Sequence, residues 1–355
     1  MSKLKNDKAL AVKCVNGIFV GKKTENIISY KGIPFVGQQP VGKLRWKAPV
    51  DVTPSDDIFE AYNYGKSPVQ SPGDPASEDG TSEDCLYLNI WKAASEQEQS
   101  QARLDSAERE QTRPEGRAEE ASAENTMVST NRKPVIVWIY GGGFEVGGAT
   151  DPQYDCHNLI KENPEVIVVT INYRVSFLGF LHLSHLSDGK DYQDAPNLGL
   201  MDQMMALKWV NENIAGFGGD PDNVTIWGES AGGGSCTLLP LVKDSHKYFK
   251  RIITQSGAPS QTRSEEEAIA VTNRFMEELG CKTVRKMWIQ FAKTGNPSLT
   301  ADQSPDGKAH EWPLYNTGDK QVMVLDEQDI HTAKESELKI VDWNRTYFLT
   351  NTYFN

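Results

Sequence analysis

Several features are missing from this sequence, and each absence removes a class of function. No stretch approaches the roughly 20 consecutive apolar residues that span a bilayer, and the polar start Met1-Ser-Lys-Leu-Lys-Asn-Asp-Lys8 is not followed by the apolar run of a signal peptide. A soluble, cytoplasmic protein is the expectation. Basic residues are in deficit: 37 Lys and Arg stand against 49 Asp and Glu, a formal net charge of -12. That balance argues against nucleic acid and anionic membrane surfaces as partners. The five cysteines (Cys14, Cys85, Cys156, Cys236 and Cys281) are scattered, with no C-x-x-C pair. Neither a metal site nor a disulfide framework is expected, no cofactor motif is present, and nothing in the composition sets the oligomeric state. No internal repeat is visible.

What is there is a set of strands and one glycine-framed serine. Short β-prone runs separated by turn formers open the chain: Ala9–Val12, Gly17–Gly21 and Ile27–Tyr30, followed by Cys85–Trp91. Residues 93–132 are then dominated by Glu, Gln, Ser, Ala and Arg. Such a segment cannot bury enough surface to offset its ordering entropy, so it reads as a disordered insert. Beyond it come four strand candidates, Pro134–Tyr140, Glu165–Asn172, Asn223–Trp227 and Arg251–Gln255, read as strands of a parallel sheet buried on both faces. Leu200–Ile214 lies between the second and third and carries apolar residues at helical spacing. Strands alternating with helices predict an α/β fold with a mixed, mostly parallel central sheet flanked by helices.

Gly228-Glu-Ser-Ala-Gly232 fits G-x-S-x-G, between a buried strand and the helix-like Ala231–Leu241. That setting is the nucleophile elbow of α/β-hydrolases, in which a sharp turn presents the serine, here Ser230. Tyr140-Gly-Gly-Gly-Phe144 follows the first buried strand. A glycine run lets backbone N–H groups converge on the oxyanion formed when an ester carbonyl is attacked. The expected donors are Gly142, Gly143 and Ala231.

With these residues the chain resembles the type-B carboxylesterase/lipase family, which includes bacterial p-nitrobenzyl esterases and cholinesterases. Tyr30–Phe35, Ser82–Ile90, the Gly141 loop, Asn172–Arg174, Gly179-Phe180, Asn197–Gln203, Phe217–Pro221, Gly228–Gly233 and Gln255–Gly257 carry the resemblance in the family's order, over residues 9–281 apart from the insert. It implies an α/β-hydrolase fold across a single domain, 1–355. It also implies hydrolysis of small-molecule carboxylic esters through an acyl-enzyme on Ser230.

Three departures qualify that expectation. Gly73–Thr81 lacks the tryptophan with which cholinesterases hold a quaternary ammonium, so a choline ester is not the expected substrate. Gly65–Gln70 lacks the cysteine that often pairs with the one at Cys85, so Cys85 is expected to be a free thiol. Thirdly, the segment that bears the family's acidic and histidine triad members is missing after Cys281. Residues 282–355, with Thr283–Pro297 and Trp312–Tyr315, instead resemble the family's C-terminal region, so the fold is expected to be incomplete. None of the six histidines (His157, His182, His185, His246, His310, His331) lies in the family's His-Gly context, and Glu229 is expected to support the turn rather than replace the acid. The alternative to an active esterase is therefore a catalytically impaired remnant serving as a binding scaffold.

Overall fold

The computed structural model describes residues 10–95 and 132–284, and the backbone of two further strands, Gln321–Leu325 and Ile330–Lys334. Residues 96–131 of the acidic insert lie outside the described residues, as does the C-terminal stretch beyond Val284 apart from those two strands.

Twelve strands fall within the two long stretches: β1 Ala11–Cys14, β2 Asn16–Val20, β3 Lys22–Thr24, β4 Ile27–Pro34, β5 Ser55–Glu60, β6 Ser67–Pro68, β7 Thr81–Ser82, β8 Tyr87–Ala93, β9 Lys133–Ile139, β10 Ile167–Ile171, β11 Gly219–Glu229 and β12 Arg251–Gln255. The C-terminal pair is β13 Gln321–Leu325 and β14 Ile330–Lys334. The α-helices are α1 His157–Glu162, α2 Ser176–Phe180, α3 Leu198–Asn213, α4 Ala231–Leu238 and α5 Glu265–Glu278.

Seven strands form the central sheet in the order β12-β11-β9-β10-β8-β4-β3. The first four run parallel, and β8, β4 and β3 continue antiparallel. β1, β2 and β5 make a small separate sheet. The mixed sheet expected from the alternating elements is therefore present, with three parallel and three antiparallel pairings. Its inner strands are apolar because both faces are covered. Val135, Val137, Ile139, Val169, Ile171, Val224 and Ile226 share one core with Ala206, Leu207, Trp209 and Val210 of α3. Trp91 and Val168 pack on the other face with Ile160 of α1. Burial of each such aliphatic side chain contributes roughly 1.5–3 kcal/mol.

One expectation fails. Arg251–Gln255 is a strand, but not one buried on both faces: all five residues are exposed. Ile252 and Ile253 retain 40% and 45% of their accessible surface. The physical reason is its position. β12 is the outermost strand beyond β11, and among the described residues nothing pairs with its far side. Two boundaries also move. β8 runs through Ala93, where the insert was expected to have begun, and the elbow helix stops at Leu238, giving way to a short 3₁₀ turn over Leu239–Leu241 at Pro240.

The helix α5 has no counterpart in the sequence reading, although a signal was there. Ser264 accepts from the Glu267 N–H while the Glu267 carboxylate accepts from the Ser264 N–H, the reciprocal capping box of an S-x-x-E start.

Candidate active site

β9 lies between β10 and β11, so the chain leaves β9 toward one neighbour and later returns on its other side. In open parallel sheets such a switch in strand order opens a crevice at the carboxyl ends of the strands. Gly228 of β11 is in register with Ile139 of β9. The Gly141 loop and Ser230 therefore emerge side by side.

Ser230 adopts φ 52° and ψ -121°, a backbone conformation that a side-chain-bearing residue holds only when its surroundings impose it. Two hydrogen bonds do so: the Ser230 N–H donates to the Gln255 carbonyl at 2.8 Å, and the Gly234 N–H donates to the Ser230 carbonyl at 2.8 Å. The flanking glycines follow from close approach. A Cβ on Gly228 would strike the Gly232 backbone, and one on Gly232 would be driven into the Ile139 carbonyl oxygen. Gly232 lies inside α4, where glycine costs about 1 kcal/mol relative to alanine, so the contact and not helix propensity decides the residue.

The glycine loop is built against this turn. A Cβ on Gly141 would lie 3.0 Å from the Ser230 Cβ and 2.8 Å from the Glu229 carbonyl oxygen. Gly142 and Gly143 have φ of 106° and 64°, and the Gly142 carbonyl turns back to accept from the Glu145 and Val146 N–H groups. The structure thus brings Ser230 and the Gly141 loop together. The N–H groups of Gly142 and Gly143, and that of Ala231 in the first turn of α4, have no acceptor among the described residues.

The groups that hold the loop were not singled out from the sequence. The Gln70 amide pairs with Gly147 in both directions, donating to its carbonyl at 2.8 Å and accepting from its N–H at 2.7 Å. Asn172 accepts from the Ala149 N–H at 2.7 Å and donates to the Cys85 and Lys66 carbonyls. Phe144 packs edge-on against Phe180, with centroids 5.4 Å apart. Behind the elbow, Gln203 of α3 donates to Ser235 of α4 at 3.0 Å. These partners come from distant parts of the chain, so no local spacing marks them; Asn172, Phe180 and Gln203 fall within the family-like stretches, whereas Gln70 does not.

Glu229 directs a carboxylate oxygen toward the position a Gly141 Cβ would take, at 3.1 Å, and desolvation holds its pKa above the usual glutamate value. The described histidines lie elsewhere. His157 opens α1, His246 sits in the 3₁₀ turn Ser245–Lys247, His182 lies 3.4 Å from Glu265, and His185 contacts the Asn273 side-chain oxygen at 2.7 Å. None of them hydrogen-bonds Ser230. The side chains of His310 and His331 lie outside the described residues.

Comparison with known proteins agrees with this architecture. The profile of the carboxylesterase family matches residues 8–286. The chain belongs to that family. The match ends close to the Cys281–Thr283 junction at which the family-like order breaks. A para-nitrobenzyl esterase of Bacillus subtilis is 40% identical over 263 residues, covering 72% of this chain and 45% of its own length. A Mus musculus cholinesterase is 36% identical over 287 residues, covering 77% and 41%. Among solved structures, a Geobacillus stearothermophilus carboxylesterase superposes with a TM-score of 0.64 at 36% identity, over 79% of this chain and 50% of its own. The α/β-hydrolase fold of the family is the fold seen here. The chain spans less than half the length of these two curated relatives.

Proposed function

We propose that this carboxylesterase-family chain transfers acyl groups from small-molecule carboxylic esters to Ser230. The observation that carries the reading is the contact between the Gly141 loop and the strained elbow, where a Cβ on Gly141 would lie 3.0 Å from the Ser230 Cβ. Ser230 Oγ attacks the ester carbonyl carbon as its hydroxyl proton passes to solvent water, and the oxygen that becomes negative is met by the N–H groups of Gly142, Gly143 and Ala231. Collapse of that intermediate breaks the bond to the alkoxide or phenoxide and leaves an acyl-serine, which water hydrolyses to the acid. No cofactor enters these steps. The five free thiols support a reducing compartment as the place of action.

Because no described histidine hydrogen-bonds Ser230, the reading favours activated esters, whose leaving group needs no proton. Loss of the base lowers serine hydrolase turnover by roughly six orders of magnitude, while the oxyanion donors and binding retain about 10³–10⁴ over water. The expected result is stoichiometric labelling of Ser230 by a fluorophosphonate and a burst of one p-nitrophenolate per chain, absent in Ser230→Ala. Absence of native labelling would overturn the assignment.

The open β12 edge favours a second reading, a family scaffold that binds partners without turnover. Turnover of p-nitrophenyl acetate at ordinary esterase rates, lost in Ser230→Ala, would exclude it.

A further inference from the structure

β12 is an unusual edge. Among the described residues it bonds to β11 alone, and its successive residues Ile252 and Ile253 are both exposed although they point to opposite faces of the sheet. Ile252 is aligned with the fully buried Ile226, and Ile253 with Trp227. The edge therefore continues an apolar strip on each face and then stops in solvent. Natural edges are guarded by lysine, proline, bulges or a covering element. The strand Arg-Ile-Ile-Thr-Gln has one charge, at its first residue, and no proline.

The same chain holds a hairpin with the complementary need. β13 and β14 pair antiparallel, from Gln321 with Lys334 to Leu325 with Ile330, and form a two-stranded sheet of their own. A hairpin of two strands is marginal in water and becomes stable with a third. Their sequences differ in kind. β13 reads Gln-Val-Met-Val-Leu, four apolar residues in succession, the pattern of a strand covered on both faces. β14 reads Ile-His-Thr-Ala-Lys, with polar and basic residues suited to an outer edge.

We propose that β13 adds to the open edge of β12 within the same chain, extending the central sheet and leaving β14 as its new, polar edge. Distance permits this. Residues 285–320 link the two parts, and a chain of 36 residues can reach at most about 120 Å. Tethering also decides between this occupant and the β12 edge of a second copy. A linked partner acts at an effective concentration near the millimolar range, about a thousandfold above a second copy at micromolar protein.

Amide hydrogen exchange on the full chain tests the proposal. The β12 amides that face away from β11 are expected to exchange at least about 100-fold more slowly in the unsubstituted chain than in Val324→Pro. That protection should not change between low and high micromolar protein. Equal exchange in both chains would overturn the proposal. So would protection that grows with concentration, which would assign the edge to a second copy. Amides of β9, at the sheet centre, report in the same experiment whether Val324→Pro has unfolded the chain. Ile253→Lys gives the reciprocal test at a solvent-exposed position. It should release the β13 amides, and β13 exchange unchanged by Ile253→Lys would also overturn the proposal.

Discussion

The hydroxyl of Tyr140 donates to the carbonyl of Tyr173 at 2.7 Å, and the hydroxyl of Tyr173 donates back to the carbonyl of Tyr140 at 2.9 Å. The rings stack with centroids 4.3 Å apart, and both side chains are fully buried. Tyr140 directly precedes the Gly141 loop and Tyr173 follows β10, so this exchange joins the carboxyl ends of β9 and β10 where the site opens. Tyr140→Phe leaves the Tyr173 carbonyl short of a donor and is expected to cost about 1–2 kcal/mol. Urea unfolding measures it. A double-mutant cycle with Tyr173→Phe should show coupling, because the two bonds share one geometry.

Gly141→Ala tests the contact on which the proposed chemistry rests. The new methyl would meet the Glu229 carbonyl and the Ser230 Cβ at 2.8 and 3.0 Å, so the loop must withdraw. Removing an oxyanion donor costs a serine hydrolase about 10²–10³ in rate. A fall in the fluorophosphonate labelling rate of Ser230 approaching that range is expected, with thermal unfolding little changed. Labelling at the original rate would separate the loop from the reaction.

The Arg174 guanidinium forks onto Asp202 through Nε and Nη2 at 2.8 and 2.7 Å, and its backbone N–H donates to the same carboxylate at 3.0 Å. Both side chains are buried. Asp202→Leu strands a buried charge and is expected to destabilise by about 3–5 kcal/mol, whereas Arg174→Met combined with Asp202→Leu should recover most of that loss. Urea midpoints of the three chains decide.

Burial raises the Asp155 carboxyl, but the hydrogen bond and charge of Lys31, 2.9 Å away, outweigh it with help from the His157 N–H and the Tyr64 hydroxyl, so the folded-state pKa lies below the ordinary aspartate value. A lowered folded pKa contributes stability above the unfolded value near 3.8 and loses it as pH falls through the folded one. The stability gap between the unsubstituted chain and Lys31→Met should therefore be full above about pH 5 and shrink as pH falls through the lowered folded-state value, as read by urea titration. A gap independent of pH would place the effect in the packing of Lys31 over the Tyr64 ring, 4.1 Å from its centroid.

All five cysteines are buried and free. Desolvation pushes the Cys14 and Cys236 thiols up to about 12, and Cys85 and Cys156 are raised by the same cause. Thiolate is the reactive form. Less than one thiol per chain is expected to react with a disulfide reagent at pH 8 under native conditions, and five after unfolding.

The sequence alone determined the elements whose cause is local. β9, β10 and β11 announced themselves as apolar runs, because a strand covered on both faces admits little else. The elbow was legible because the close approaches at Gly228 and Gly232 exclude every larger side chain, leaving a spaced pair of glycines around Ser230. α5 was equally local, carried by Ser264 and Glu267, but its outward polar face hid it from a reading based on apolar periodicity.

Tertiary structure alone decided the rest. Gln70, Asn172 and the Tyr140–Tyr173 exchange hold the loop through partners far away in sequence, and hydrogen bonds of that kind leave no spacing to read. β12 makes the same point in reverse. Arg251–Gln255 has the composition of an inner strand and pairs in register with β11, yet it stands exposed. Composition reports the burial a strand is suited to, whereas actual burial depends on which neighbours are present to cover it.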